Sequence, residues 1–401
     1  YFIKTCALIA TEGSSLSDDF EISGGNPNIT YYESVKSPSI SVSIDFIDVD
    51  GVISREGITG GEYLDLKIKV PDFDDFEITP DKHFMMLNSV KNVKTSSNKQ
   101  IATLEFVSVE AIINETARVS RRFTGNVSQI VKELMKDKKS IQTSKNLETD
   151  ESFNKYSFVG NLKRPFDTIQ WLCPKAASTD KECGFLFYEN LDGYFFKSIK
   201  GLLDADSSET YEKPEAPVDT DIKITENNLD SSNDIGMNCR MGMYANKTLY
   251  VDIENGKIET VDYKISDLNL AKPPKLPAGL EDVPTRLMLR ILDAGALQKG
   301  SKKEEVEKRS ELAVYQNKSY ARTNLLFSQS LSISTPFNPD LRVGQMIDVV
   351  LPVKEGSDQS QTTGGGENDI SGKYLLSELK HSIANGKSNS ELKLIRDVFT
   401  A

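Results

Sequence analysis

The sequence predicts a mainly β protein with α+β insertions, and three observations support this fold class. Several stretches alternate apolar and polar residues with a period of two, as strands with one buried face do. Pairs that favour tight hairpin turns separate such stretches at Asp192-Gly193, Asn255-Gly256 and Asn385-Gly386. Two other stretches repeat apolar residues every three or four positions, which is the helical period. We therefore expect antiparallel sheets with helices between them.

The first 116 residues carry the clearest alternation. Ile40, Val42, Ile44 and Phe46 alternate with polar residues, so one face of this strand should lie on a core. Further strand candidates have the same period, namely Leu64–Val70, Met85–Val93 and Ile101–Val109. Short strands at close spacing predict a small antiparallel barrel or sandwich over residues 1–116.

Residues 117–205 change character and predict a small α+β domain. An apolar stripe begins at Val127, and Asn126 with Gln129 has the spacing of a capping box at its start. A second helix is predicted from Pro165, because proline suits the first helical position. Gly184–Tyr188 and Tyr194–Ile199 then predict a hairpin.

The C-terminal half predicts a second β segment that an insertion splits. Residues 206–221 are acidic and proline-containing and predict a linker. Strand patterns over 222–261 and 323–401 predict a second barrel, in which strands resume at Leu325–Phe327. The insertion, residues 262–322, predicts helices at Thr285–Leu297 and Lys302–Ala321.

Composition and charge exclude several classes of protein. The 401 residues are 38% hydrophobic and have a mean hydropathy of −0.39, which fits about two to four folded domains and excludes wholesale disorder. Net charge is −12, which argues against electrostatic wrapping of nucleic acid. No apolar run approaches the about 20 residues of a membrane span, and residues 1–10 lack the basic start of a secretory signal.

Carboxylates and histidines were weighed as catalytic candidates. The carboxylates cluster at two places, Asp45, Asp48 and Asp50 near a turn, and Asp72, Asp74, Asp75 and Glu77 after a strand. A hydrolase needs two carboxylates held around a substrate, and the favoured interpretation is instead solvated surface charge. His83 and His381 lie far apart, and His381 sits in a predicted strand, where a packed or surface role is favoured.

The remaining residue types predict no cofactor or metal site. Cys6, Cys173, Cys183 and Cys239 are dispersed without a CxxC pair, which predicts buried small hydrophobes and fits synthesis in a reducing cytoplasm. Trp171 is predicted to pack in a core. The run of three glycines at 364–366 lacks the Lys-Ser/Thr of a phosphate loop and predicts a flexible loop. We expect no catalytic, cofactor-binding or metal-ligating residue.

Four stretches, taken in order, resemble one family. They are Tyr31–Ile68, Leu104–Asp137, Arg164–Ala176 and the strand "VGQMIDVVLP" at Val343–Pro352, which a final hairpin follows. The chain resembles the baseplate hub proteins of large contractile-tailed bacteriophages, and is similar to the hub half of type VI secretion spike proteins. The resemblance covers most of the chain except the insertion and the glycine-rich loop.

This resemblance implies a structural protein without catalytic activity. Two tail-tube-like barrels in each of three subunits would form a ring that joins a hexameric tail tube to a trimeric central spike and lets DNA pass. The implied partners are two further copies, the tube protein and a spike on a separate chain, with tape measure, wedge and sheath proteins as further candidates. No specific nucleic-acid binding or stable membrane insertion is implied. The location would be the virion tail baseplate, assembled in the host cytoplasm. Two alternatives stay open: a cell-wall hydrolase using the acidic cluster, and the hub of another contractile injection system.

Overall fold

The computed structural model describes the residues numbered 1–14, 16–25, 27–49, 51–71, 73–96, 99–213, 223–231, 234–253, 256–268, 279–291, 303–352, 370–384 and 386–397. In the N-terminal part the strands and helices are β1 (Phe2–Ile9), β2 (Phe20–Glu21), β3 (Asn28–Ser34), β4 (Ser41–Asp48), α1 (Val52–Glu56), β5 (Tyr63–Lys69), β6 (Phe76–Ile78), β7 (Met85–Ser96), β8 (Lys99–Ser108) and α2 (Val109–Thr116).

The central part contains β9 (Arg122–Asn126), α3 (Val127–Lys136), β10 (Leu147–Thr149), β11 (Lys155–Val159), α4 (Pro165–Leu172), β12 (Phe185–Asn190), β13 (Gly193–Ser198), α5 (Ile199–Leu203) and β14 (Ser207–Glu212). The C-terminal part contains β15 (Glu226–Ser231), α6 (Ile235–Met241), β16 (Ala245–Asp252), β17 (Lys257–Lys264), β18 (Arg286–Ile291), α7 (Lys303–Leu326), β19 (Gln329–Pro336), β20 (Met346–Val350), β21 (Gly372–Ala384) and β22 (Lys387–Arg396).

One large sheet connects the two ends of the chain. Its main path runs β15-β19-β22-β21-β3-β4-β8-β7-β5-β1-β2, with β6, β20 and β14 attached at the side. The join is the antiparallel pair β21–β3, in register from Glu378 opposite Ser34 to Ile383 opposite Ile29. The two β segments therefore share one continuous sheet, and the pairings between described strands close no barrel.

Smaller sheets carry the rest of the fold. They are β10-β13-β12 and β11-β9 in the α+β part, and β17-β16-β18, in which β18 comes from the predicted insertion. The core of the α+β part gathers the predicted stripe of α3 with Phe166 and Phe196, and it also takes in Tyr250 of β16 and Ala313 of α7. The β17-β16-β18 sheet and α7 therefore pack on the α+β part.

The mainly β fold with α+β insertions is confirmed, and so are several local predictions. The helices that were predicted from Val127 and from Pro165 are α3 and α4, and β12 and β13 form the predicted hairpin. The Gln129 side-chain oxygen accepts a hydrogen bond from the Asn126 N–H at 3.3 Å, as a capping residue would. Local signals succeeded because turn and cap chemistry acts within a few residues.

Two predicted elements are wrong. The predicted helix Thr285–Leu297 contains strand β18, which pairs in parallel with β16, and its LMLRI sequence also alternates with period two. Leu325 and Leu326 end α7 and do not start a strand, because their side chains are buried in two different cores on either side of the helix end.

Other predictions are placed differently or lie outside the described residues. The hairpin β16–β17, assigned from sequence to the second β segment, belongs to the separate sheet with β18. The first half of the predicted linker is strand β14, whose Tyr211 is buried. Asp50, Asp72, the turn residues Asn255 and Asn385, and the glycines at 364–366 lie outside the described residues. The domain boundaries stay predictions.

Phe46→Asp should abolish folding, since Phe46 is buried in the core of the first β segment. An unpaired buried carboxylate costs several kcal/mol, a large share of a domain's stability. Ser41→Asp, on the opposite face of the same strand, should cost no more than about 1 kcal/mol. Circular dichroism of both variants tests this, and a folded Phe46→Asp protein with wild-type melting would contradict it.

Candidate functional site

Within the described part of the predicted carboxylate clusters, Asp48 and Asp75 make local structural contacts. Asp48 is buried, and its two oxygens accept the backbone N–H groups of Val52 and Ile53 at 3.0 Å each, at the start of α1. Asp75 forms an ion pair with Lys4. Asp74 and Glu77 are exposed. Their environment gives no support to a pair of carboxylates arranged around a substrate.

Both histidines are packed inside the protein. His381 lies 4.8 Å from Phe337 between ring centroids, and its Nδ1 lies 2.9 Å from the Ser390 hydroxyl. Burial lowers the pKa of His381 to about 3, and Arg342 adds to the effect. Burial likewise lowers the pKa of His83 to about 4, and its Nδ1 accepts the Thr79 N–H at 3.0 Å. Both side chains are therefore neutral at physiological pH.

The cysteines and the tryptophan also lie in or against cores. Cys6, Cys173 and Cys183 are buried, and burial raises the pKa of each thiol to about 12. Trp171 packs edge-on against Phe158 with 5.2 Å between ring centroids. Among the described residues, no cluster of His, Cys, Asp and Glu side chains could hold a metal ion. None of the described helices has the length and apolar character needed to cross a membrane.

A buried carboxylate, Glu33, connects three parts of the chain. It lies on β3, and its two oxygens accept the N–H of Leu191 at 2.8 Å and the N–H of Val343 at 3.0 Å. The Tyr31 hydroxyl donates to the same group. Burial raises the pKa of Glu33 from 4.5 to about 7, while Arg342, Tyr31 and the two N–H groups act in the opposite direction. One side chain thus holds the first β segment, the β12–β13 turn and the segment before β20 together.

A second buried carboxylate makes the reciprocal contact from the α+β part. Glu189 on β12 accepts the Ile40 N–H at 3.0 Å and the Ser108 hydroxyl at 2.6 Å, both from the first β segment. The Lys145 ammonium lies between Glu189 at 2.7 Å and Glu110 at 2.8 Å. Burial disfavours the charged form of Lys145 and lowers its pKa. The two carboxylates have the larger combined effect, so the pKa of Lys145 is raised. We call Glu33, Glu110, Lys145 and Glu189 the polar junction.

Sequence reasoning missed the polar junction, although a signal was present. Glu33 lies on the same face of β3 as Ile29 and Tyr31, so the alternation that buries those residues also buries the carboxylate. A charged residue at an inward position of a strand needs buried donors. The partner donors are backbone groups of distant segments, which the sequence does not identify.

The outer face of the large sheet is the first candidate surface. Ser43, Thr30 and Ser382 stand directly opposite one another across β4, β3 and β21, and Ser41, Ser332 and Ser334 line neighbouring positions. We call these six residues the hydroxyl face. The lysines beside them are paired with acids, Lys380 with Glu391 at 3.2 Å and Lys393 with Glu378 at 3.6 Å. This surface is polar, and its hydroxyl groups also meet carboxylates, since Ser43 donates to Glu105 at 3.2 Å and Ser332 donates to Asp230.

The second candidate surface is apolar. Leu287 and Leu289 on β18 are 72% and 73% exposed, and Ile291 and Ile258 beside them are also exposed. The other face of this sheet packs on α7, where the Tyr250 hydroxyl donates to the Ala313 carbonyl at 3.1 Å. Exposed apolar patches of this kind mark contacts with other proteins more often than isolated exposed side chains do.

The comparisons with known proteins concern the fold of the chain. The sequence matches no protein-family model and no curated protein. The fold is similar to that of the tail protein from Neisseria meningitidis MC58, with a TM-score of 0.55 and 10% identity over 100% of this chain and 98% of that one. It is also similar to the 43 kDa tail protein of prophage MuSo2 from Shewanella oneidensis, with a TM-score of 0.51 and 9% identity over 99% of both chains. The chain has the fold of tail proteins, and the resemblance to tail-assembly proteins is confirmed at the level of the fold.

Glu33→Gln should remove a pH dependence of stability. The pKa of Glu33 is higher in the folded protein than in the unfolded chain, so the protonated side chain favours the folded state. Its contribution to the free energy of unfolding is therefore fully present below about pH 4.5 and is lost as pH rises through about 7. Relative to Glu33→Gln, the wild type should lose up to about 3 kcal/mol of unfolding free energy between pH 5 and pH 8. Urea denaturation at both pH values measures the difference, and a pH-independent difference would contradict the prediction.

Lys145→Met should lower the free energy of unfolding by about 3–5 kcal/mol, because it leaves Glu110 and Glu189 buried without their cation. Lys132→Met removes an exposed lysine of α3 and should change stability by no more than about 0.5 kcal/mol. Urea denaturation at neutral pH compares the two variants. Equal stability of the two would show that the junction contributes little.

Proposed function

We propose that this chain is a structural hub of a phage tail baseplate. In this role three copies form a ring that joins the hexameric tail tube to a trimeric central spike and lets DNA pass. The observation that carries the proposal is the continuous sheet, in which β3 and β21 join two β segments of one chain. Three copies would bring six such segments together, which matches the sixfold symmetry of a tube.

The hydroxyl face supports a role as the channel wall. Its side chains are short, and its described lysines Lys380 and Lys393 are paired with carboxylates. Binding to a duplex gains affinity when unpaired cations replace counterions along the phosphates. A wall of hydroxyl groups and paired charges offers little of this gain, so DNA could pass without being held.

The apolar face of the β16–β18 sheet supports contact with other proteins. The proposed partners are the tube protein, the central spike protein, and the tape measure, wedge or sheath proteins. The proposed location is the virion tail, with assembly in the host cytoplasm. A hub of another contractile injection system would have the same architecture, and neighbouring tube, sheath and tape measure genes would separate the two.

We propose that the protein has no catalytic activity. The alternative from sequence was a cell-wall hydrolase using the cluster at residues 72–77. Within the described part of that cluster, Asp75 pairs with Lys4, and Asp74 and Glu77 are exposed. Peptidoglycan turnover by the purified chain, abolished by changing these residues, would favour the hydrolase.

The purified protein should form trimers, alone or with its spike, and electron microscopy should show rings. Stable assemblies of this kind bury more than about 2,000 Å² at their interfaces, so the trimer should persist at micromolar concentration. Light scattering measures the mass. A monomer at every concentration, with tube and spike proteins added, would overturn the proposal.

The trimer should also leave linear DNA unshifted in a gel near about 0.15 M salt, where charges are screened beyond about 8 Å. A variant that replaces Glu391 and Glu378 with Gln frees Lys380 and Lys393 and serves as the positive control, because it should bind DNA more tightly. A salt-sensitive complex of the wild type with DNA would contradict a passive channel.

A further inference from the structure

The charges of the chain are segregated, although the net charge is −12. Residues 117–164 contain eleven Lys and Arg residues and five Asp and Glu residues, so this stretch is basic within an acidic protein. All of these residues are described. A basic surface of this kind attracts an acidic partner and guides its orientation.

Four of these basic residues lie on or beside the two-stranded sheet β9–β11, namely Arg122 and Lys155 on its strands, and Arg118 and Lys163 at the Val119–Lys163 bridge that continues its ladder. Across this sheet, Arg122 stands opposite Val159, and Asn126 stands opposite Lys155, all on the outer face. The inner face carries Phe123 and Phe158, which stack with their ring centroids 5.5 Å apart in the core. We define the basic face as Arg118, Arg122, Lys155 and Lys163 with the apolar residues Val159 and Leu162.

Two features separate the basic face from an ordinary solvated surface. Arg118 donates to the backbone oxygens of Glu115 and Ala117, and Arg122 donates to the Ser157 hydroxyl at 2.8 Å, so neither cation meets a carboxylate among the described contacts. Val159 and Leu162 are 55% and 65% exposed beside them. Exposed apolar patches mark contacts with other proteins, and arginine is enriched at such contacts.

The same chain provides a surface of opposite charge. Residues 5–21 contain four acidic side chains and no basic one, namely Glu12, Asp18, Asp19 and Glu21, all of them exposed. They lie around β2, the end strand of the large sheet, and Asp65 and Glu77 lie on β5 and β6, which follow β1 in the same sheet. We call these six residues the acidic edge.

The acidic edge is crowded with like charge. Burial raises the pKa of Asp65, and Lys67 opposes the effect, whereas Glu21, Glu77 and Asp81 add to it. Neighbouring carboxylates thus repel Asp65 within a single copy. A cationic surface from outside would relieve this repulsion.

We infer that the basic face of one copy binds the acidic edge of the next copy, in a head-to-tail contact that closes the ring. This inference rests on the proposed ring of three copies. A contact between two different patches of the same chain is heterologous, and such contacts close into rings when the rotation allows. The two patches have opposite charge, and each copy presents both, so every copy can bind one neighbour on each side.

A charge exchange tests the contact. Arg122→Glu with Lys155→Glu should raise the concentration at which half of the chains are trimeric by at least about tenfold, or about 1.4 kcal/mol. Asp18→Lys with Glu77→Lys should weaken assembly in the same way. The chain that carries all four substitutions should assemble again, since each pair of surfaces regains opposite charge. Sedimentation at low and at physiological salt measures all three variants.

Controls separate this inference from the proposed function. Lys94→Glu with Lys387→Glu makes the same change in net charge at exposed lysines outside the basic face, and it should leave the trimer intact. Circular dichroism melts confirm that each variant is folded. The proposed contact would be wrong if Arg122→Glu with Lys155→Glu formed trimers at wild-type concentrations, or if the fourfold variant failed to reassemble. Either result would leave the proposed ring standing. A wild type that stays monomeric would overturn the ring itself.

Discussion

The rest of the structure depends on the need of one buried carboxylate for donors. Glu33 is fully enclosed, and it accepts N–H groups from Leu191 and Val343 in two other parts of the chain. Leaving such a group unsatisfied costs more than a typical hydrogen bond contributes. The first β segment can therefore reach its stable form only when the β12–β13 turn and the segment before β20 have docked against it. Glu189 imposes the same requirement in the reverse direction.

That constraint explains how two β segments become one sheet. Glu33 lies on β3, the strand that pairs with β21, so the residue that collects the distant donors also lies at the join. Because the side-chain period of a strand is two, the register that turns Glu33 inward turns Thr30 and Tyr32 outward. The polar junction and the hydroxyl face thus lie on opposite faces of the sheet, and one strand register places both. A slip by one residue would exchange them.

The sequence predicted what local chemistry decides and missed what distant contacts decide. The helix from Val127 and the β12–β13 hairpin followed from a cap, an apolar stripe and a turn pair within a few residues. Strand β18 was predicted as a helix because the spacing of its apolar residues fits both the helical period and the strand period of two. The pairing of β18 with β16 determines that it is a strand. Glu33 and Glu189 were not predicted as site residues, because their donors come from distant segments of the chain. The β21–β3 join had no sequence signal of its own.

Net charge alone gave an incomplete view of the surface. The value of −12 argued against wrapping of nucleic acid but did not locate the charges, and the fold places the basic face at the β9–β11 sheet and acids around β2. The hydroxyl face lies between these extremes, since its lysines meet carboxylates on neighbouring strands. A ring protein has two electrostatic requirements: neighbours must attract one another, and the wall must not hold a passing polyanion. Segregation would meet both requirements, because opposite charges can pair between copies while the lysines of the wall stay paired with carboxylates. The position of the charges, and not their sum, is what such a function would select.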